Sequence, residues 1–381
     1  MSSLASLPRE ILITLPDFMH NIEDFTNLSS TCRTLRDCLT TASPRTILRL
    51  ASTQSRIFFR PSPHFLVAAT ARELGHWARH SPSNEAIFAD RCSEGIDGLL
   101  DLSLQHCGLT LQQIHHLYSL RFSIINPITD IIDQCIGQQW YSTPSFWDGG
   151  VDDAYTIRSD PPATLFHLAI YGELFGPDLD SFLDPAEASG ARRLSVDTRL
   201  EFIKYCIPDE ATDMGGGISA RNVTSEDGTV DTRRYVKPTG PYIKEKGRRY
   251  VEWPDNNNVG LTWVLRSTRW RPHWEAVRRL AGPDFKDGFD EGWWYAPDDD
   301  ATEWRQRLWE NVMVCQGLNG LGMIRPEFRD QWVGKVKEWR DKIAALDREP
   351  SIVQVGRQAT HEYPFLHGDL RICVSGYVLG T

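Results

Sequence analysis

With 381 residues the chain is longer than one small module requires, and a composition 41% hydrophobic and 24% charged is that of a globular protein able to bury a sizeable core. A formal net charge of -10 and a pI near 5.6 argue against general binding to nucleic acid or to anionic membrane, since either needs a basic face. No run approaches the roughly 18 apolar residues of a membrane helix, and the opening residues, broken by Pro8, Pro16 and Asp17, lack the basic start of a signal peptide. The expected location is cytoplasmic or nuclear. The 8 cysteines, at positions 32, 38, 92, 107, 135, 206, 315 and 373, form no C-x-x-C pair and no zinc-type spacing with histidine. Free thiols are therefore expected, with no disulfide framework, no metal and no cofactor.

Taken in order, the chain begins with short helical patterns. Pro8 has the fixed φ suited to the first position of a helix, and Glu10 lies in the first turn, where the positive end of the helix dipole favours an acid. Leu7, Ile11 or Leu12, Leu15 and Phe18 make an apolar stripe, and Pro16 ends or kinks this helix near Leu15 by removing a hydrogen bond and clashing with the preceding turn. Asn21 can cap a second helix with Ile22, Phe25 and Leu28 on one face, and Ser30 or Thr31 can start a third with Cys32, Leu35 and Leu39. All three are shorter than the roughly 12 to 15 residues at which isolated helices become even marginal in water. They need something to pack on.

The opening Leu7, Pro8, Glu10, Ile11 and Leu12, followed by Cys32, Arg33 and Leu35, resembles an F-box, and the exit from Pro44 to Leu50 is similar to that of fungal members. Leu35 stands where many F-boxes carry Trp. The resemblance implies that residues 1–50 form a three-helix F-box. Its apolar edge, made by Leu7, Pro8, Ile11, Leu12, Leu15, Cys32 and Leu35, is then expected to dock on a Skp-type adaptor and, through it, on a cullin. Read from the residues alone, the same helices are also a possible opening of an ordinary helical domain.

A second module is expected over residues 51–381, joined tightly near Leu50 because no Gly/Ser-rich linker intervenes. Pro61-Ser62-Pro63 precedes a helical pattern carrying Phe65, Ala69, Leu74 and Trp77, and Ser81-Pro82 opens the next, with Phe88, Cys92, Ile96 and Leu99 at helical spacing. Thr110-Leu111-Gln112-Gln113 reads as a capping box for a third, with Leu111, Ile114, Leu117 and Tyr118 inward, and Pro127 begins a further turn pattern. After a polar stretch from Trp140 to Pro162, helices are predicted over 163–175 and 196–206. Residues 208–258, with Gly215-Gly216-Gly217 and Asp227-Gly228, read either as an irregular hairpin or as a disordered insertion. No solenoid or propeller period is present. The expected fold class is mainly α: an N-terminal three-helix F-box packed on a larger, mostly helical domain, with a minor irregular β part at 218–253 and 351–378.

Ten of the 13 tryptophans lie from Trp253 to Trp339. After Pro326, the residues Phe328, Trp332, Val336, Trp339, Ile343 and Leu346 recur at steps of three or four, the mark of a core-facing stripe. Trp293-Trp294-Tyr295, set among Asp290, Glu291 and Asp298 to Asp300, lacks that period. It is either a partner-binding group for a basic segment or a loop plugging into its own core.

Strings that suggest catalysis lack its requirements. Phe365-Leu366-His367-Gly368-Asp369-Leu370 is similar to the catalytic loop of aminoglycoside-kinase-like phosphotransferases, but Val374 occupies the place of the metal-binding Asn. His76 and His80 share a helix face without a third ligand, and His115 and His116 point to different faces. Gly215-Gly216-Gly217 is not followed by the Lys-Ser/Thr of a phosphate loop. No catalytic residue is expected. Three functional readings stand: a substrate-recognition subunit of an SCF-type ubiquitin ligase, linking an unidentified target protein to the adaptor; a non-catalytic structural or regulatory partner of the adaptor that delivers no substrate; or a cryptic enzyme in residues 51–381, for which the sequence offers no acid or base candidate.

Overall fold

The computed structural model describes residues 4–53, 63–130, 161–183, 192–206, 271–283 and 316–347, with a few residues between them, among them Phe59, Phe285 and Trp309, and short backbone strands. The described chain is mostly helical, as expected. Helix α1 (Arg9–Thr14) follows Pro8 directly and gives way after Thr14 to a 3-10 turn, Leu15–Phe18, that contains Pro16. Helix α2 (Ile22–Thr31) is capped by Asn21, whose Oδ1 accepts the Asp24 N–H at 2.7 Å. Helix α3 (Arg33–Leu39) starts after Cys32, not at Ser30 or Thr31. The reason is local: the Ser30 and Thr31 hydroxyls donate back to the carbonyls of Thr26 and Leu28, at 2.7 and 2.8 Å, so they serve the helix they end and cap nothing.

Helix α4 (Pro44–Thr53) is capped by the Ser43 hydroxyl, which accepts the Thr46 N–H at 3.1 Å, and it runs across the module boundary placed near Leu50. Then come α5 (His64–Arg79), α6 (Pro82–Cys92) and α7 (Gly95–His106). The single helix predicted through Phe88 and Leu99 is two, because Gly95 takes a left-handed conformation, φ 73°, at the start of α7. Helix α8 (Leu111–Leu120) begins with the predicted capping box: Gln113 N–H donates to the Thr110 hydroxyl at 3.2 Å, and Thr110 N–H to Gln113 Oε1 at 2.8 Å. It widens into a π turn over Arg121–Ile125 and continues helical over 126–130. Pro127 thus sits inside a helix and does not open a new one; it cannot donate to a carbonyl one turn back, and the π turn just before it shifts that pairing.

Helix α9 (Pro161–Leu183) extends past the predicted limits and passes through Pro177, whereas α10 (Val196–Cys206) keeps them. Helices α11 (Arg271–Ala281), α12 (Gly317–Gly320) and α13 (Arg329–Ala344) complete the described set. Val336, Trp339 and Ile343 of α13 are buried, and Phe328, Trp332 and Leu346 pack against the core, so the tryptophan stripe faces inward. Lys335 Nζ lies 5.3 and 5.0 Å above the Trp332 and Trp339 rings. Of the minor β part, only short backbone pairings are described, the longest joining Tyr242–Glu245 to Arg248–Val251. Val223–Thr224 also pairs antiparallel with Val230–Asp231 across Asp227-Gly228, where the irregular hairpin is expected, and no strand residue belongs to the described core.

Helices α5 and α9 form the centre. His64 meets His167, Phe65 meets Phe166, Arg72 Nε donates to Glu173 at 2.8 Å, and Arg79 Nε donates to Asp178 at 2.8 Å. Partner numbers rise together, so the two helices run parallel. They touch closely: a Cβ on Gly75 would lie 3.1 Å from the Leu174 carbonyl oxygen. Helix α10 is tied to α6 through the buried Glu85, which accepts the Ser195 N–H at 2.6 Å and the Thr198 hydroxyl at 2.8 Å and pairs with Arg192. The N-terminal helices join the same body: Leu109 N–H donates to the Pro44 carbonyl at 2.9 Å, and Gly108 lies so near Pro44 that no side chain fits. One apolar core runs from Leu12 to Ile343.

The histidine pair makes this fold acid-sensitive. His64 and His167 share one Nε2 to Nε2 hydrogen bond at 3.1 Å, and the Nδ1 of each is buried without a partner. Burial lowers His64 from 6.5 to about 4, and burial with the neighbouring ring holds His167 well below its ordinary value. Between these limits the unfolded chain binds protons that the folded one refuses, so stability is full above 6.5 and falls as the pH drops toward 4. For His64 the loss is at most about 3 kcal/mol. Urea unfolding across this range should show that slope, and His64→Leu/His167→Leu should flatten it. A slope unchanged by the double substitution would contradict the assignment.

Candidate functional site

Helix α1 is apolar around most of its circumference, since Ile11, Leu12 and Ile13 are consecutive and cannot all face one core. Leu12 turns inward and is 1% exposed. Its neighbours turn outward. Leu4, Leu7, Ile11, Ile13 and Phe18 are 38% to 75% exposed, and the other large apolar residues so exposed among those described, Ile87, Phe122 and Leu280, lie singly on other helices. These five lie within one short stretch of chain, Leu4 to Phe18. Arg9, Glu10 and Asp17 stand exposed among these residues.

A helix of six residues does not persist alone. Here it is held from behind by Leu12, by the buried Pro16 and by the partly buried Leu15. It is also held from α4, where Arg49 Nη2 donates to the Pro16 carbonyl at 3.1 Å.

The structure divides the predicted adaptor-binding residues. Leu7, Pro8 and Ile11 are exposed, Leu15 and Cys32 are partly buried, and Leu12 and Leu35 lie in the core. Leu4, Ile13 and Phe18, absent from the predicted set, are exposed as well. The signal for Ile13 was the run of three apolar residues in one turn, which a single stripe cannot use. The second candidate, Trp293, Trp294 and Tyr295, lies outside the described residues, as do Gly215-Gly216-Gly217 and His367.

His76, His80, His115 and His116 are all exposed, and among the described residues no three metal-ligating side chains come together. Cys32, Cys38, Cys92, Cys107 and Cys206 are free thiols. Burial, with Glu73 nearby, pushes Cys107 up to about 12, and burial also raises Cys92 well above its ordinary value, so these two stay protonated and unreactive. No described helix is long and apolar enough to cross a membrane. No family model matches the chain, and no curated protein or solved structure matches it either.

The two neighbours Ile11 and Leu12 should respond oppositely to a charge. Leu12→Asp places an unpaired carboxylate in the core and should cost at least about 3 kcal/mol of stability. Ile11→Asp leaves the charge in water and should change stability by less than about 0.5 kcal/mol. Urea midpoints of the two variants decide this, and equal losses in both would contradict the exposed edge.

Proposed function

We propose that this chain is an F-box-type receptor subunit of an SCF ubiquitin ligase, with α1 to α3 as the F-box helices packed on a helical domain that carries a minor β part. The observation that carries the reading is a coincidence of place. The stretch whose Leu7, Pro8, Glu10, Ile11 and Leu12 match the F-box pattern is also where the exposed apolar residues of the described chain are concentrated. The edge would take up the helical surface of a Skp-type adaptor and so a cullin. The rest of the chain would hold a target protein near a ubiquitin-charged conjugating enzyme.

The chemistry of ubiquitin transfer then belongs to other subunits, and this chain contributes effective concentration. Such a role suits a continuous core, because a docking edge fused to the body fixes the distance over which a bound target is presented. It needs no cofactor, nucleic acid or membrane, and it operates in the cytoplasm or nucleus.

Recombinant Skp-type adaptor tests the reading directly. Ile11→Asp and Phe18→Asp each bury a charge without a counter-charge in the complex, at a cost of several kcal/mol out of the roughly 8 to 12 kcal/mol of a micromolar to nanomolar interaction. Both variants should fold and fail to retain adaptor on a pull-down. Parent-like binding by both would contradict the proposal. Recovery of adaptor without cullin or any accumulating target would favour a structural partner over a receptor.

A further inference from the structure

The exposed residues are carried on two pieces of helix that meet between Thr14 and Leu15, with Pro16 inside the second. Helix α1 presents Ile11 and Ile13, and the 3-10 turn Leu15–Phe18 presents Phe18, at 75% the most exposed large apolar residue described. The joint itself is closed by Leu15 N–H on the Leu12 carbonyl, whereas the turn that carries Phe18 is weakly closed from within. Pro16 has no N–H to offer the preceding turn, and the hydrogen bond that closes the turn, from Met19 N–H to the Pro16 carbonyl, is long at 3.3 Å. A second donor reaches the same carbonyl from elsewhere: Arg49 Nη2, 33 residues on, at 3.1 Å.

Arg49 stands on the outer side of α4, between the buried Leu48 and Leu50, on a helix that also buries Ile47 and Ala51. Its guanidinium is a charged donor on a well-anchored base, aimed at the carbonyl that closes the turn carrying Phe18. No carboxylate pairs with it among the described ion pairs, so this contact is with backbone and its strength does not depend on an acid being ionised.

We propose that Arg49 is the positioning residue of the docking edge: by holding the Pro16 carbonyl it sets where Phe18 stands relative to Ile11, and with it the shape offered to a Skp-type adaptor. This rests on the docking reading above. Arg49 acts through the turn, and its own contact with the adaptor is not required. The consequence is a residue of the fourth helix, outside the apolar edge, that controls affinity.

The experiment is a double-mutant cycle on the full chain, with affinity for recombinant adaptor read by calorimetry and stability by urea unfolding. Arg49→Ala should weaken binding about tenfold, the scale of one hydrogen bond from a charged donor, while the unfolding midpoint stays near that of the parent. Arg49→Lys, which keeps one donor, should recover part of the loss. In a Phe18→Ala background Arg49→Ala should cost nothing further, since a positioning residue acts only through what it positions. Hydrogen exchange at Met19 should quicken in Arg49→Ala and stay unchanged at α5. If Arg49→Ala proves too unstable to assay, Arg49→Gln, polar but too short to reach the carbonyl, replaces it.

Losses that add in the cycle would make Arg49 a direct contact and overturn the proposal. Parent-like affinity of the Arg49 variants, with parent binding intact, would also overturn it and leave the docking reading standing. A parent chain that does not bind adaptor would overturn the docking reading, and this proposal with it.

Discussion

Three helices meet at one buried carboxylate. Asp178 of α9 accepts Arg79 of α5 on one oxygen at 2.8 Å and Arg199 of α10 on the other at 3.2 Å, and Arg79 also donates to the Leu174 carbonyl at 2.6 Å. Removing that carboxylate would strand two guanidinium groups in the interior, a loss of about 3 to 5 kcal/mol for a broken buried pair. The arrangement follows from α9 itself. Pro177 interrupts its hydrogen-bond ladder, and the acids on either side, Glu173 and Asp178, take charged donors from the parallel α5. Glu173 also accepts the Leu318 N–H at 3.0 Å, just after Gly317 with φ 67°. One interrupted helix thereby fastens α5, α10 and the turn at Gly317.

The N-terminal edge inherits its rigidity from this body. Helix α7 packs on α5, the turn after it holds Pro44 through Leu109 and Gly108, and α4 reaches forward through Arg49 to the Pro16 carbonyl of the 3-10 turn. Each step is a short-range contact of a few ångströms. Together they let helices too short to exist alone present apolar side chains to solvent without collapsing onto them. An unanchored segment of this composition would bury Ile11 and Phe18 against itself and leave nothing for a partner.

Much of the helical plan was legible because it depends on local chemistry. The capping box at Thr110, the cap at Asn21, the break at Pro16 and both limits of α10 follow from residues within one turn of each feature. The misread places were those where two local rules compete. Ser30 and Thr31 either cap a helix or bond back along one; Gly95 either continues a helix or turns it; Pro127 either starts a helix or is absorbed by a π turn. The polar joints were not legible at all. Glu85 and Arg192, or Arg79 and Asp178, are separated by about a hundred residues, and nothing near either partner announces the other. The edge was half legible: the pattern gave Leu7, Pro8 and Ile11, but only packing shows that Leu12 belongs to the core and Ile13 does not.

The central proposal is that the exposed apolar residues between Leu4 and Phe18 form a docking edge for a helical adaptor. Hydrogen exchange of the full chain, read by mass spectrometry with and without saturating recombinant Skp-type adaptor, tests it most directly. The account predicts slowed exchange on adaptor binding over Leu4 to Met19, with peptides from α5 and α9 unchanged. Unchanged exchange over Leu4 to Met19, or protection confined to other helices, would contradict it.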